Sequence, residues 1–224
     1  MTLFLSIQNT YEVIEIALFK DDQLVAALKE DKSRASKELI PLIAYLLLRA
    51  RITMKDLAFI AVNQGPGPFT TLRVVIATVN GLSFATNVPL VGIDSLDAFL
   101  EEYKNSEHPT IILLNAFNND VYYAIKKVDD PKPEKGYKNI NSLLEQLVAQ
   151  FPTTSLQFLG NGTSLHKALI TNIFGNNAIM PEVIPQTASI KQIGLSGLTL
   201  WTKNKHGKKQ LFPLYLKQAM VHSS

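Results

Sequence analysis

The chain contains no cysteine and little charge, and each shortage excludes a class of protein. Without cysteine there is no disulfide framework, thiolate metal site, iron–sulfur cluster or cysteine nucleophile. Only 18% of the 224 residues are charged and the net charge is +3, but 46% are hydrophobic, so the composition excludes a disordered chain. The length is sufficient for one domain or two small ones with a packed core.

Long apolar runs are scarce as well. The best candidate, residues 39–48, contains Pro41 and Tyr45 and is shorter than the ~18–20 residues that a membrane helix needs. Residues 1–5 lack the basic region and the small-residue cleavage site of a signal peptide. We therefore expect a soluble, cytoplasmic protein with no membrane segment.

Acidic residues are absent from the C-terminal end. No Asp or Glu follows Glu182, whereas six lysines do, so this end carries +6 and the remainder about −3. A basic end on a mildly acidic body indicates an acidic partner, although a solvated surface explains the same pattern.

The order of predicted elements indicates two α/β halves with mixed sheets, the second reduced. The first half is predicted to contain strands at 3–7, 12–19, 24–29, 57–63 and 88–93, and helices at 36–50, 70–86 and 94–104. The second is predicted to contain strands at 110–114, 120–126 and 156–159, a charged loop at 128–137, and helices at 141–152, 163–174 and 188–203. The polar break at 105–109 predicts domains 1–104 and 105–224, with the C-terminal helix able to pack back on the first.

A loop with two glycines and two prolines, residues 64–69, connects a predicted strand to a helix capped by Thr70 or Thr71. Backbone N–H groups at such a helix start can bind an anion, which makes Gly65, Gly67 and Thr70 weak candidates for cofactor binding. The loop has no Gly-Lys-Ser/Thr sequence, and its prolines remove two N–H donors. A rigid structural turn and a ligand loop both remain open.

This loop and its surroundings resemble the TsaB (YeaZ-type) family. Residues 62–73, Val-Asn-Gln-Gly-Pro-Gly-Pro-Phe-Thr-Thr-Leu-Arg, are similar to the family's Gly-Pro-Gly-Ser-Phe-Thr-Gly-Leu-Arg helix start. Residues 78–82 and 89–93 resemble its Lys-Gly-Leu and Ile-Pro-Leu-Val-Gly-Val segments. Weaker likeness extends over residues 36–41, 115–122, 159–162 and 212–217, so the resemblance covers nearly the whole chain.

The resemblance implies a duplicated actin/hexokinase/Hsp70-like (ribonuclease H-like) fold. It also implies a role in forming N6-threonylcarbamoyladenosine at position 37 of tRNAs that read ANN codons. Members of the family are non-catalytic relatives of the transferase subunit TsaD, with which they pair, and the ATPase TsaE binds that pair. The threonylcarbamoyl group arrives as an adenylate made from threonine, bicarbonate and ATP.

Several positions depart from the charged motifs of the fold. Gln8 stands where the first strand's acid is expected, Asn115 and Asn161 replace two aspartates, and Ala35 replaces a histidine. A neutral amide cannot hold Mg²⁺ as a carboxylate does, so these changes argue against nucleotide hydrolysis and put nucleotide binding in doubt.

We also expect no metal site and no catalytic residue. The transferase's two metal-binding histidines correspond to Ser95 and Phe99, and this chain's four histidines are far apart in sequence. Asp94 and Asp97 lie at a helix start, where we expect them to cap the helix. No cofactor is assigned.

The two helices at 36–50 and 70–86 carry apolar faces that exceed the need of one sheet. In the family that the chain resembles, these helices pair with the same helices of TsaD or of a second copy. The predicted interface residues are Leu39, Leu42, Ile43, Leu46, Leu47, Thr71, Val75, Ala77, Thr78 and Gly81. The predicted tRNA contacts are Lys203, Lys205, Lys208 and Lys209.

Two other functions remain open at this point. The chain could be a stand-alone enzyme of the same fold, such as a kinase or a protease, which the missing acids at Gln8 and Asn161 argue against. It could also be a homodimeric scaffold with no role in tRNA modification.

Overall fold

Two five-stranded sheets organise the chain in a computed structural model that describes residues 1–130, 132–204 and 207–216. The strands of the first sheet are β1 (Leu3–Asn9), β2 (Val13–Lys20), β3 (Gln23–Asp31), β4 (Phe59–Gly65) and β5 (Leu90–Asp94). Those of the second are β6 (Thr110–Asn115), β7 (Asp120–Lys126), β8 (Glu134–Asn139), β9 (Leu156–Leu159) and β10 (Ala178–Ile179). The helices are α1 (Ala35–Ala50), α2 (Phe69–Thr86), α3 (Ser95–Glu102), α4 (Ile140–Gln150), α5 (Asn161–Leu165), α6 (Lys167–Phe174) and α7 (Ile190–Asn204).

The two sheets have the same topology. Their orders are β3-β2-β1-β4-β5 and β8-β7-β6-β9-β10, each with three antiparallel strands followed by two parallel ones. Along the chain, α1 connects β3 to β4 in the first sheet, and α4 connects β8 to β9 in the second. The repeated order identifies the chain as a duplicated α/β fold.

The chain divides into two compact units. Met1–Glu102 and Ala188–Pro213 form the first unit, and Tyr103–Thr187 lie in the second. The change of unit after Glu102 lies close to the expected boundary at residue 104. The predicted second domain, 105–224, also contained Ala188–Pro213, which belong to the first unit, in agreement with the expectation that the C-terminal helix can pack back on it.

One face of the first sheet is covered by α1 and α2. Side chains alternate along a strand, so Leu5 and Ile7 of β1 point into the same apolar cluster as Leu39 of α1 and Val75 of α2. All four are at most 1% exposed. β1 is buried on nearly every residue, as expected for a central strand between two helical layers.

The other face of the first sheet is covered by α7, which crosses β1, β2, β4 and β5. Gly194 and Gly197 allow this close approach, since a Cβ on either would lie within 2.6 Å of a Phe19 or Ala61 carbon. Aromatic rings stack beneath the helix, with Phe59 between Phe4 and Trp201 at centroid distances of 4.4 and 4.9 Å.

The second unit is built around a smaller apolar cluster. Leu143, Leu144 and Leu147 of α4 pack against β6, β7 and β9 together with Ile170 of α6. Where the first unit has the 18-residue α2, the second has two short helices, α5 and α6.

Three predicted elements differ from the observed ones. The charged loop at 128–137 contains β8, an edge strand whose polar sequence hides its pairing with β7. The helix predicted at 163–174 is divided at His166, and residues 178–179 add a short strand. The helix predicted at 141–152 is α4, which starts at Ile140 and has Asn139 as its N-cap.

By length and composition, α2 is one helix in the described part of the chain that could cross a membrane. One such helix is weak evidence for a membrane segment, because a core helix of a soluble protein passes the same test. Only about a third of its apolar stretch is buried, and the buried part packs on the sheet.

Candidate functional site

The glycine-rich loop between β4 and α2 is held by polar groups of the same chain. The N–H of Gly65 donates to Asn63 Oδ1 at 2.8 Å, and Ser95 Oγ donates to the carbonyl of Pro66 at 2.8 Å. Gly65 has a φ of 97°, a conformation that favours glycine, and its bond to Pro66 is cis. Gly67 is partly exposed and faces Asn9. These contacts agree with a structural turn.

The predicted threonine cap of α2 is wrong. The helix begins at Phe69 with Pro68 as its N-cap and without a side-chain cap. Thr70 and Thr71 therefore lie inside the first turn, where Thr70 is exposed and Thr71 is buried.

At the end of β1, neutral amides occupy the place of the expected acid. Gln8 is 1% exposed, and its Nε2 donates to Glu15 Oε2 at 2.5 Å and to the carbonyl of Ala188 at 3.3 Å. Both side-chain polar atoms of Asn9 are buried without a hydrogen-bond partner among the described residues. The donor set does not fit a magnesium–phosphate ligand, because the amides are neutral and Gln8 already binds the Glu15 carboxylate.

Asn115 and Asn161, which stand where the fold would have aspartates in the second unit, also form internal hydrogen bonds. The N–H of Asn115 donates to Asn161 Oδ1 at 3.0 Å, and the N–H of Phe117 donates to Asn115 Oδ1 at 2.8 Å. Phe117 has a φ of 61° and is exposed. Gly160, with a φ of 102°, leaves no space for a side chain against the Leu113 backbone. Both amides therefore fix a turn.

The start of α3 is capped by Asp94, as predicted. Asp94 Oδ1 accepts from the N–H of Leu96 at 2.8 Å and of Asp97 at 3.3 Å. Asp97 lies in the first turn of the helix, where its charge meets the helix dipole favourably. Phe99 is fully buried. Within the described ranges, no three His, Asp or Glu residues are grouped so as to hold a metal ion.

Two of the four histidines lie in the described part of the chain, and there neither belongs to a group of possible metal ligands. His108 and His166 lie in the second unit, and His206 and His222 lie outside the described residues. Burial lowers the pKa of His166, whose Nε2 has no hydrogen-bond partner in the described part of the chain.

Most of the predicted interface positions on α1 are core residues. Leu39, Ile43, Leu46 and Leu47 are at most 6% exposed and face the first sheet, while Leu42 is partly buried against them. The four buried residues are therefore not available to a partner, and their assignment to the interface was wrong. Both sides of this helix are apolar, and the predicted residues lie on the side that faces the sheet.

The outward face of α1 is also apolar. Ile40 is 57% exposed, Tyr45 50% and Leu48 75%, with the small exposed Ala44 between them. Ile40, Ala44 and Leu48 recur every four positions and Tyr45 precedes Leu48 by three, which places them on one side of the helix.

α2 repeats this division into two faces. Val75 and Thr71 are buried, so their predicted interface role is wrong, whereas Ala77 and Gly81 are exposed and Thr78 is partly exposed. A Cβ added to Gly81 would meet nothing within 4 Å. Packing within this chain therefore does not require glycine at this position. α1 and α2 also contact each other. We call Ile40, Ala44, Tyr45, Leu48, Ala77, Thr78 and Gly81 the outward helix face.

The predicted basic residues are divided among different surroundings. Lys203 lines a groove between α3 and α7 together with Asp97 and Glu101. Lys208 and Lys209 are exposed beyond α7, and Lys205 lies outside the described residues. Lys203 and Lys209 therefore line different grooves.

Comparison with known families gives one match across most of the chain. A profile of the TsaD family, described as tRNA N6-adenosine threonylcarbamoyltransferase, matches residues 30–222. The matched residues include α1, α2, the glycine-rich loop and Tyr103–Thr187 of the second unit.

Curated relatives carry the name tRNA threonylcarbamoyladenosine biosynthesis protein TsaB. The chain is 22% identical to the protein from Bacillus subtilis over 218 residues, covering 96% of this chain and 94% of the relative. It is 27% identical to the one from Buchnera aphidicola subsp. Schizaphis graminum over 124 residues, or 54% of this chain and 59% of the relative. The chain thus matches about three fifths of the length of that second relative.

Solved structures agree on the fold. YeaZ from Pseudomonas aeruginosa superposes with a TM-score of 0.70 at 19% identity, covering 96% of this chain and 100% of that one. A putative N-acetylmannosamine kinase from Listeria monocytogenes gives a TM-score of 0.50 at 11% identity, with coverage of 91% and 100%. The predicted duplicated α/β fold of the actin and hexokinase type is confirmed.

Proposed function

Because this chain belongs to the TsaD family, and within it to the TsaB type, we propose that it is a non-catalytic partner subunit in N6-threonylcarbamoyladenosine formation. Its role is to bind a TsaD-type transferase and hold it in an active conformation. The modified position is residue 37 of tRNAs that read ANN codons, and a TsaE-type ATPase joins the pair. The site of action is the cytoplasm.

The outward helix face is the observation that carries this proposal. Ile40, Tyr45 and Leu48 are exposed although the opposite side of α1 already fills the core. Clustered exposed apolar side chains are typical of a protein interface, and helices that approach closely need small residues between them. Ala77 and Gly81 supply such residues on the neighbouring helix.

Gly81 adds an energetic argument. Glycine within a helix costs roughly 0.5–1 kcal/mol relative to alanine. Since a side chain at this position would meet open space, packing inside the chain does not offset that cost in stability. Close approach of a partner helix, which requires a small residue here, offsets it.

The non-catalytic role is supported by the two neutral strand ends. Gln8 is engaged by Glu15 and the Ala188 carbonyl, and Asn161 is engaged by the Asn115 backbone. These groups act as internal hydrogen-bond partners in the places where the fold would use acids.

Reconstitution tests the proposal. Purified TsaD-type subunit, TsaE-type ATPase, threonylcarbamoyl adenylate and unmodified tRNA are incubated with and without this chain, and the modified nucleoside is quantified. We expect product only when the chain is present. Equal product without it excludes the partner role.

Calorimetric titration of the isolated chain with Mg·ATP is the companion measurement. We expect no binding heat, because of the amides at the strand ends. Saturable binding together with hydrolysis would instead favour an independent enzyme of this fold.

A further inference from the structure

A second surface of the first unit lies at the ends of α2 and α7, next to the outward helix face, because Phe84 follows Gly81 by three positions and Ala77 by seven on the same side of α2. It is a groove of about 540 Å³, lined by Ser83, Phe84, Asn87, Pro89, Trp201 and Lys209. Phe84 is 90% exposed, and Trp201 is partly exposed. The groove therefore presents two aromatic side chains, an amide and an ammonium group to solvent.

The framework of the groove is anchored on both sides. The Trp201 ring stacks on Phe59 at 4.9 Å, which fixes its orientation. Lys208 exchanges two backbone hydrogen bonds with Leu90, at 2.8 and 2.9 Å.

Three residues farther along, the backbone of Leu211 bonds in both directions to the side-chain amide of Asn80, each at 2.9 Å. Lys209 thus lies between two attached positions and is carried by a fixed backbone.

The elements around the groove contain no acidic residue. No Asp or Glu occurs from Leu57 to Ile93, which includes all of α2 and the turn to β5. None occurs after Glu182, which includes α7 and the segment with Lys208 and Lys209. The fold brings these two acid-free stretches together, so the groove favours an anionic ligand.

Aromatic side chains beside a lysine match the chemistry of unpaired nucleotides. Bases stack on aromatic rings, and ammonium groups contact the phosphates in a salt-dependent way. An isolated phosphate would not use Phe84 or Trp201, whereas a protein partner could, and the experiment below therefore includes a protein partner as an outcome.

We propose that the groove binds an unpaired segment of RNA by stacking a base against its aromatic residues, with Lys209 at the phosphate. Identification of that RNA as the tRNA being modified rests on the proposed function.

Trp201 is the single tryptophan of the chain, so its fluorescence reports on this groove. A short single-stranded RNA of mixed sequence is titrated into the full-length chain at low and at moderate salt. Inorganic polyphosphate and an RNA duplex of equal length are the comparison probes. We expect saturable quenching by the single strand, weakened by salt, and little by polyphosphate or duplex. Absent quenching, or equal quenching by polyphosphate, overturns the proposal.

Paired variants locate the effect. Phe84→Ala is expected to weaken binding of the single strand by about fivefold or more, whereas Phe69→Ala, an exposed aromatic at the other end of α2, leaves it unchanged. Lys209→Glu is expected to reduce the salt slope by about one, and exposed Lys20→Glu serves as its control. Equal effects of Phe84→Ala and Phe69→Ala contradict the proposal.

Two further results separate this inference from the proposed function. If transfer requires the chain but RNA leaves Trp201 unquenched, the groove proposal is wrong and the partner role stands. If RNA quenches Trp201 but transfer proceeds without the chain, RNA binding stands and the partner role falls. Shielding of Trp201 from acrylamide by the TsaD-type subunit, with no response to RNA, would make the groove a protein contact instead.

Discussion

Helices α1 and α4 occupy the same place in the chain order of the two units, since α1 connects β3 to β4 and α4 connects β8 to β9. Their outward faces differ. Both turn leucines inward, with Leu39 and Leu143 fully buried. Outward, α4 carries mainly polar or small residues: Asn141, Ser142, Glu145, Val148 and Ala149. α1 instead exposes Ile40, Tyr45 and Leu48. Folding this topology therefore requires only the inward face, and the apolar outward face of α1 is the surface that we propose contacts a partner.

The inward faces should give the largest effects on stability. Leu39→Ala removes a side chain that is 1% exposed, and we expect the free energy of unfolding to fall by about 2–5 kcal/mol. The adjacent Ile40→Ala is the matched control and should change it by less than about 0.5 kcal/mol. Urea unfolding followed by circular dichroism measures both. Similar losses would show that the two faces of α1 are not distinct.

A negative charge on the outward face should weaken association with the partner when it is placed on α1 but not when it is placed on α4. Leu48→Glu, at a position 75% exposed, should leave the chain folded but weaken its association with the TsaD-type subunit by at least about tenfold, roughly 1.4 kcal/mol. Val148→Glu on α4, also an exposed position, should leave association unchanged. Sedimentation velocity of the mixture reports both. Unimpaired association of Leu48→Glu would place the interface elsewhere.

Gly81→Leu should affect folding and association in opposite directions. The added side chain meets open space, so we expect the helix to gain roughly 0.5–1 kcal/mol in stability. The same side chain blocks close approach of a partner helix, and association should weaken. Ala149→Leu on α4 is the control for added bulk. Thermal melting and sedimentation are read together, and stronger association of Gly81→Leu would contradict the account.

Lowering the pH to mildly acidic values should have the smallest effect on the free energy of unfolding. We expect this effect from His166 in the second unit. Burial lowers the pKa of His166 below its ordinary value of 6.5, so the folded state favours the neutral imidazole. Unfolding then takes up a proton as the pH falls below about 6.5, and the free energy of unfolding decreases. His166→Gln should remove this contribution. Urea unfolding at neutral and mildly acidic pH tests it, and an unchanged pH dependence in the variant would rule out His166 as the source.

Sequence patterns predicted the duplicated α/β fold and located both helices of the proposed interface. They could not assign the two faces of α1, because its segment Ala44-Tyr45-Leu46-Leu47-Leu48 has no charged residue to mark the exposed side. They also missed β8, since the Glu-Lys-Gly-Tyr-Lys-Asn sequence of an edge strand lacks apolar alternation.

The neutral residues Gln8 and Asn161 were identified from sequence, but their hydrogen-bond partners were not. The partners of Gln8 are Glu15 and the Ala188 carbonyl, and the latter is 180 residues away along the chain. The groove at Phe84 and Trp201 was likewise missed, because its walls come from two distant acid-free stretches that only the fold brings together.

The most direct test of the central claim couples association to activity. The chain is titrated into a fixed amount of TsaD-type subunit, with threonylcarbamoyl adenylate, TsaE-type ATPase and tRNA present, and both complex formation and product are measured. The account predicts that product rises in step with the complex, and that Leu48→Glu shifts both curves to higher concentration by the same factor. Full product at concentrations where no complex forms would contradict it.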